Sequence, residues 1–333
     1  MSLQKKVLIT ASDIFTISSQ KQFEKIALKV FRFQHENNKV YRDFCDFLNV
    51  NPQQVKTLKQ IPFLPIQFFK THKVVSNSDF PQVTFTSSGT TGMVTSRHLV
   101  TDVSLYEESY RQGFSQFYGN IEDYVVLALL PSYLEREGSS LIYMVEDLIK
   151  LSNQPESGFY LHNHEELTQK LIQLDNAGQN VILIGVTYAL LDLIEKHQFQ
   201  LQNTIIMETG GMKGKRKEMI REELHEILCK GFGVSSIHSE YGMTELLAQA
   251  YSLGDGIFEC PSWMNILVRD PEDALTYVND EKTGGINVID LANINSCSFI
   301  ATQDLGKKYP NNSFEVLGRF DNSDIRGCNL MVL

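Results

Sequence analysis

The sequence is poor in cysteine, and its cysteines lack the paired spacing of zinc sites and disulfide frameworks. The 333 residues contain five cysteines, an odd and scattered set without a Cys-x-x-Cys pair, so neither a metal site nor a disulfide scaffold is indicated. We expect free thiols, four of them as packing residues. The five are Cys45, Cys229, Cys260, Cys297 and Cys328.

Long apolar runs and excess positive charge are also lacking. No run approaches the roughly 18 apolar residues of a membrane helix, and the first residues become polar too soon for a signal-peptide core. We therefore expect a cytoplasmic protein without a membrane span. The formal net charge of −10 argues against nucleic-acid binding, because phosphate neutralisation needs a concentrated basic face. A small anionic substrate is still compatible with this charge.

Apolar residues make up 42% of the chain, which is enough for a large core and, at this length, about two domains. Three short apolar runs, at 125–130, 181–184 and 204–207, are separated by segments of helical periodicity. Strands that are apolar on both faces are typical of parallel sheets covered by helices. The sequence therefore predicts an α/β fold with mostly parallel sheets.

The segments on either side of these runs have different patterns. Residues 19–22 match a capping box, and apolar residues recur at helical spacing over 23–31, which predicts an amphipathic helix. Residues 61–66 contain two prolines three positions apart and cannot form a helix interior. From about Gly254 the helical periodicity fades, and a small region of short antiparallel strands is expected.

One loop consists only of hydroxyl residues and glycine, and it follows a strand-like run at 83–86. Glycines let the backbone approach an anion closely and hydroxyls add donors, so the loop suits a nucleotide triphosphate. It is not a P-loop, because the Gly-Lys-Ser/Thr ending is absent. Taken alone, the segment fits an ordinary surface loop equally well. Its residues are Ser87, Ser88, Gly89, Thr90, Thr91 and Gly92.

A second segment, residues 241–245, favours the nucleotide interpretation. The loop resembles the Ser-Gly-Thr-Thr-Gly phosphate loop of the adenylate-forming superfamily of acyl- and aryl-CoA synthetases, and 241–245 resemble its Tyr-Gly-x-Thr-Glu motif. The resemblance implies that Tyr241, next to Gly242, packs on adenine. It also implies that Thr244 bonds the α-phosphate and that Glu245 ligates Mg²⁺, which favours carboxylate and phosphate oxygens. The implied fold is that superfamily's N-terminal domain, with ATP and Mg²⁺ as cofactors.

Three weaker matches extend the resemblance. Gly210 and Gly211 follow an apolar strand, as in the superfamily's adenine-side turn, where absent side chains admit the base. Asp304 stands in a segment similar to the ribose motif and Arg319 in one similar to the hinge motif, which implies that both approach the ribose. Each match alone is also typical of an ordinary turn or a solvated residue. Their order in the chain makes the resemblance specific.

Two departures from the superfamily concern charge at the reaction centre. Typical members continue past the hinge into a mobile C-terminal domain with a catalytic lysine, whereas this sequence stops at Leu333. We expect that domain to be absent, so that magnesium and local cations would supply its charge. The usual Pro-Lys after the phosphate loop is replaced by residues 94–98. Arg97 is therefore a candidate phosphate contact, although a solvated arginine fits nearly as well.

The chain resembles the LuxE-type acyl-protein synthetases in its length, in residues 130–136 and in its ending at 324–330. Those enzymes transfer an activated acyl group to their own C-terminal cysteine. Cys328 matches that position, and a thiolate readily attacks a mixed anhydride. A packing cysteine is the alternative. We predict an adenylation core, 1–317, and a hinge-like tail, 318–333. The core comprises a helical segment at 1–78, an α/β nucleotide-binding body at 79–253 and a β-rich region at 254–317.

The sequence thus predicts a ligase that activates a carboxylic acid, fatty by resemblance, as an acyl-adenylate and transfers the acyl group to Cys328. Two alternatives stay open: transfer to CoA or a carrier protein, and a noncatalytic nucleotide-binding scaffold. The resemblance also implies an acyl-accepting reductase as a partner. Single histidines such as His98, His225 and His238 are expected to bond the backbone or water rather than a metal.

Overall fold

The computed structural model describes residues 9–77, 79–87, 94–131, 137–210, 216 and 219–320. These residues form nine α-helices, α1 to α9 in chain order: Ala11–Phe15, Gln20–Asn37, Lys39–Phe47, Phe68–Thr71, Val103–Tyr118, Ser140–Ser152, His164–Asn176, Thr187–Lys196 and Arg221–Phe232. They also form fourteen strands, β1 to β14: Leu64–Pro65, Val83–Thr86, Arg97–Val100, Val125–Leu129, Gly158–Phe159, Val181–Val186, Thr204–Thr209, His238–Tyr241, Ala250–Ser252, Ile257–Glu259, Met264–Arg269, Gly284–Asp290, Phe299–Lys308 and Phe314–Arg319. Short 3-10 helices lie at Leu58–Gln60, Ile121–Asp123 and Leu291–Asn293.

Five strands form the parallel part of one twelve-stranded sheet, in the order β5-β4-β6-β7-β8. β4 and β6 are buried along their whole length, and helices α6 to α9 connect the parallel strands in turn. Such strands need cover on both faces, because they have no polar side to present to water. The predicted α/β fold, with strands starting at 125, 181 and 204, is confirmed. β6 and β7 each run two residues further than expected, to Val186 and Thr209.

The sheet continues beyond β8 without a break, in the order β8-β9-β10-β14-β13-β12-β11, and all of these pairings are antiparallel. The antiparallel part is therefore larger than the small region expected from the sequence, and it shares one sheet with the parallel part. The apolar pattern did not predict the extent of this part, because its strands contain buried polar residues. β12, for example, is buried at every position although it contains Asn287 and Asp290. The division of the chain after residues 78, 253 and 317 stays a prediction.

Helix α2 attaches the N-terminal segment to residues near 295. Ser19 caps the helix by accepting a hydrogen bond from the Gln22 amide, but Gln22 Oε1 accepts from the Ser18 amide and not from the Ser19 amide of the predicted capping box. At the other end, Nε2 of the fully buried Gln34 donates to the Asn293 carbonyl at 3.1 Å, and the Ser298 amide donates to Gln34 Oε1 at 2.9 Å. A buried amide that is satisfied in this way fixes the helix to one register.

The proline-containing segment 61–66 is extended, as predicted, and it joins the large sheet. β1 pairs in parallel with β13, with Leu64 opposite Ile300. The Ile66 amide donates to the Ala301 carbonyl at 3.0 Å, and α4 follows directly. Among the described helices, none combines the length and the apolar character that crossing a membrane requires.

Candidate active site

Two serines hold the base of the hydroxyl-rich loop. β2 and β3 form a separate antiparallel pair that ends with Thr86 opposite Arg97. Just beyond this pair, the Ser87 amide donates to the Ser96 carbonyl at 3.2 Å, and the Ser96 amide donates to Ser87 Oγ at 2.9 Å. The segment between Ser87 and Ser96, which contains the loop, is therefore closed at its base by these two residues. Outside the described residues lie Ser88, Gly89, Thr90, Thr91 and Gly92.

Ser96 also connects the loop base to Glu245. Burial raises the pKa of Glu245, which is only 5% exposed, while the nearby Ser96 hydroxyl and the positive charges of Arg319 and Lys70 act in the opposite direction. Two stretches that are far apart in the sequence thus meet at one buried carboxylate with two cations nearby.

His98 is a second link between β3 and the Thr244–Glu245 segment. Its fully buried ring has Nδ1 at 2.8 Å from the Thr244 carbonyl oxygen and Nε2 at 3.0 Å from Asn293 Oδ1. Asn293 Nδ2 in turn donates to the Glu245 carbonyl at 2.8 Å. Burial lowers the pKa of His98 to about 4, so the ring is neutral at pH 7 and donates one hydrogen bond. The expected backbone-bonding role of His98 is confirmed.

Three residues of the predicted nucleotide site are in direct contact: Tyr241, Asp304 and Arg319. Tyr241 Oη donates to Asp304 Oδ2 at 2.8 Å, and Arg319 Nε donates to Asp304 Oδ1 at 3.1 Å. The Tyr241 ring lies against Phe258 and Phe314, and burial raises its pKa well above the ordinary value, so the hydroxyl stays a donor. Because the charge of Arg319 also acts on Glu245, this trio belongs to the same region as the loop base. Its contacts with adenine and ribose stay predictions.

The turn at Gly210 is held by a buried ion pair. Gly210 follows β7 with φ at 76°, a conformation that favours glycine. Two residues earlier, buried Glu208 pairs with Arg221, and Thr187 Oγ1 donates to Glu208 at 3.2 Å. Burial acts to raise the pKa of Glu208, but His225, whose Nε2 lies 3.8 Å from Glu208 Oε1, and the charge of Arg221 bring it down to about 2. The pair ties the carboxyl ends of β6 and β7 to the start of α9.

The remaining predicted residues are less constrained by the structure. Arg97 is exposed at the start of β3, and its contact with phosphate stays a prediction. At Gly242 an added Cβ would lie 2.4 Å from Glu240 Oε1 and 3.3 Å from Gln249 Cγ, so these two side chains would have to move. Gly211 and Cys328 lie outside the described residues.

The chain matches one protein-family model over almost its whole length. The model of the family "Acyl-protein synthetase, LuxE" matches residues 2–129 and 135–333. This chain belongs to the LuxE family. One relative, the long-chain-fatty-acid–luciferin-component ligase of Vibrio harveyi, is 24% identical over 345 residues, which cover 95% of this chain and 89% of the relative.

Solved structures share the fold of this LuxE-family chain at low sequence identity. An open conformation of 2-hydroxyisobutyryl-CoA ligase, in complex with 2-HIB-AMP and CoA, has a TM-score of 0.66 at 13% identity and covers 91% of this chain and 70% of the ligase. ATP-bound MatB from Rhodopseudomonas palustris has a TM-score of 0.53 at 16% identity and covers 71% of this chain. The matched region is only 47% of MatB, so the LuxE-family chain spans about half of that protein.

Glu245 fits the Mg²⁺ ligand that the superfamily motif implies. Within the described ranges, no group of three or more His, Cys, Asp or Glu side chains could hold a metal by itself. Mg²⁺ does not need such a group, because it is commonly bound through one or two carboxylates together with substrate phosphates and water. Glu245 could supply one such carboxylate, and its contact with Mg²⁺ stays a prediction.

The four cysteines that the structure describes in this LuxE-family chain are free, as predicted. Burial raises the pKa of Cys45 and Cys260 to about 12, and it also raises the pKa of Cys229 and Cys297. These thiols stay protonated at neutral pH and are poor nucleophiles. None of the four is therefore a good acyl acceptor.

Sequence reasoning missed three residues of this region: Ser96, Asn293 and Lys70. Ser96 is one hydroxyl among several around the loop, and Lys70 follows an apolar run in the way that an ordinary surface lysine does. Asn293 had one usable signal, because an amide inside the largely apolar stretch 286–294 is a candidate for a buried hydrogen-bonding role.

Proposed function

We propose that this LuxE-family chain uses ATP to convert a carboxylic acid to an acyl-adenylate and then transfers the acyl group to Cys328. The contact between His98 and the Thr244 carbonyl carries the proposal, because it joins the strand that follows a phosphate-suited loop to the segment of a magnesium-suited carboxylate, Glu245. Asp304 and Arg319 add an acceptor and a donor for the nucleotide's sugar. Among structures of the same fold, MatB was solved with ATP and 2-hydroxyisobutyryl-CoA ligase with 2-HIB-AMP.

In the first step, a carboxylate oxygen of the acid attacks the α-phosphorus of ATP. A new O–P bond forms, and the bond to the β-phosphate breaks, with the electron pair leaving on pyrophosphate. Thr244 would bond the α-phosphate, and Glu245 would hold Mg²⁺, which neutralises phosphate charge when it is bound. The step needs no proton transfer from the protein. His98 keeps Thr244 in place through its carbonyl.

We also propose that the acid has an apolar tail. An apolar cavity of about 20 Å³ lies between α5, α6 and the sheet, with Phe114, Met144, Met207 and Tyr251 among its lining residues. Its lining also includes Val126 and Ile182 near the starts of β4 and β6, so the cavity lies along the middle of the parallel strands. Its present volume is about that of one water. A longer tail would require movement of the two flexible methionine side chains.

In the second step, the Cys328 thiolate would attack the acyl carbonyl, a C–S bond would form, and AMP would leave with the electrons of the C–O bond. The thiol proton passes to water. The Phe320 amide donates to the Gln303 carbonyl at 2.8 Å, one residue from Asp304, which anchors the start of the tail at the site. Cys328 is eight residues after Phe320, and eight fully extended residues can span up to about 28 Å. A reductase or a carrier protein would then accept the acyl group.

ATP–pyrophosphate exchange tests the first step. We expect exchange that depends on the acid and on Mg²⁺ in the wild type, and about 10²-fold less in Glu245→Gln, because a carboxylate ligand to the metal is lost. Glu226→Gln, an exposed change on α9, is the matched control and should exchange like the wild type. Equal exchange in Glu245→Gln and the control would remove Glu245 from the mechanism.

Intact-mass measurement after incubation with ATP and a series of fatty acids tests the second step. An acyl adduct is expected on the wild type and on the control Cys229→Ala, and it should be absent from Cys328→Ala. Exchange without an adduct would favour CoA or a carrier protein as the acceptor. ATP binding without exchange would favour a noncatalytic scaffold and would contradict the proposal.

A further inference from the structure

Lys70 lies on a short helix that is attached to the strand carrying Asp304. β1 pairs with β13 next to this helix, and the Ile66 amide donates to the Ala301 carbonyl at 3.0 Å. The Phe69 amide then bonds the Ile66 carbonyl at 3.1 Å, which starts α4. The backbone that carries Lys70 is therefore positioned by the same strand as the predicted ribose contact.

The other side of α4 contacts the Thr244 backbone through His98. The Phe69 ring is fully buried and meets the His98 ring edge-on, with 5.6 Å between ring centroids. His98 is bonded to the Thr244 carbonyl, as described above. Lys70 is the next residue after Phe69, and its positive charge acts on the Glu245 carboxylate.

Lys70 differs from Arg319, the other cation whose charge acts on the Glu245 carboxylate, because Arg319 is bonded to Asp304. Among the described residues, no carboxylate forms a salt bridge with Lys70, and Lys70 is half-buried. A half-buried ammonium whose charge acts on a buried carboxylate is a candidate for binding an anion there.

We propose that Lys70 is a catalytic residue whose ammonium contacts the β- and γ-phosphates of ATP and stabilises the departing pyrophosphate. This inference rests on the proposed adenylation. As the acid oxygen bonds to the α-phosphorus and the bond to the β-phosphate breaks, negative charge accumulates on pyrophosphate. A fixed ammonium lowers the energy of that charge without donating its proton. In the reverse direction, the same contact binds pyrophosphate.

Lys70→Met and Lys70→Gln remove the charge and keep a long side chain, so both should fold. We expect pyrophosphate exchange to fall about 10²-fold, which is the usual cost of losing one electrostatic contact in a transition state. The KM for pyrophosphate should rise at least about tenfold, while the KM for the acid should stay unchanged. Lys70→Arg should recover part of the rate. Lys73→Met, an exposed change three residues away, is the matched control.

The outcomes separate this inference from the proposed function. A wild type without acid-dependent exchange would contradict the adenylation itself. If the wild type exchanges and Lys70→Gln has the same KM for pyrophosphate, the assignment of Lys70 is overturned. A loss of thermal stability in Lys70→Met with unchanged kinetics of the folded fraction would likewise show a packing role. A selective rise in the KM for pyrophosphate, with the melting temperature unchanged, would support the proposal.

Discussion

The replacement His98→Leu tests whether β3 positions the Thr244–Glu245 segment. The neutral His98 ring donates one hydrogen bond, so its loss leaves one buried acceptor unpaired, at a cost of about 1–3 kcal/mol. The edge-on contact with the Phe69 ring adds about 0.5–1.5 kcal/mol. We therefore expect the free energy of unfolding to fall by about 2–4 kcal/mol, as measured by urea unfolding.

The same replacement should also slow adenylation of the folded enzyme. Without the bond to His98, the Thr244 carbonyl turns toward another donor and displaces Thr244 and Glu245. A shift of about 1 Å at reacting groups can cost about 10²-fold in rate, so we expect pyrophosphate exchange to fall by about 10-fold to 10²-fold. Phe69→Leu removes the ring contact and keeps the polar contacts of His98, so it should lower stability and leave exchange unchanged. If His98→Leu lowers stability alone, the positioning role is wrong.

Two further predictions concern the buried carboxylates. Because the pKa of Glu208 is lowered in the folded state, its ionised form stabilises the fold above about pH 4.5, and this contribution is lost as the pH falls toward about 2. Glu208→Gln should therefore reduce the unfolding free energy by about 3 kcal/mol near pH 7 and by much less near pH 3. If the loss of unfolding free energy were the same at both pH values, the ion pair with Arg221 would not be its cause. Asp304→Asn should raise the KM for ATP about tenfold and reduce discrimination against 2′-deoxy-ATP; undiminished discrimination would mean that Asp304 does not contact the ribose.

The sequence predicted the parallel part of the sheet because burial on both faces leaves only apolar side chains there. Val125 to Leu129 is such a run, and it is a strand in the structure. The predicted ends of β6 and β7 were two residues too early, because the final residues of β7, Glu208 and Thr209, are polar. Their burial depends on partners such as Arg221, which lies 13 residues away in the sequence.

The candidate site was predictable where it follows a motif and hidden where it depends on contacts between distant segments. Thr244 and Glu245 stand in a recognisable order of residues. His98 and Asn293, which hold them, are 195 residues apart from each other, and no spacing rule relates them. Lys70 was missed for the same reason, because its position in the site depends on the pairing of β1 with β13. The pattern of residues in a single sequence predicts local structure, but it does not predict which distant segments pair with each other.

The attachment of α2 and β1 to residues 293–301 has a consequence for synthesis of the protein. Gln34 bonds Ser298, 264 positions later in the chain, and Leu64 meets Ile300. At elongation rates of about 5–20 residues per second, these early segments wait roughly 10–50 s on the ribosome before their partners emerge. During that interval α3 can cover part of the apolar face of α2, as Tyr41 does at Phe31, while the part that packs near Phe299 stays exposed, which makes the nascent chain a natural client for chaperones.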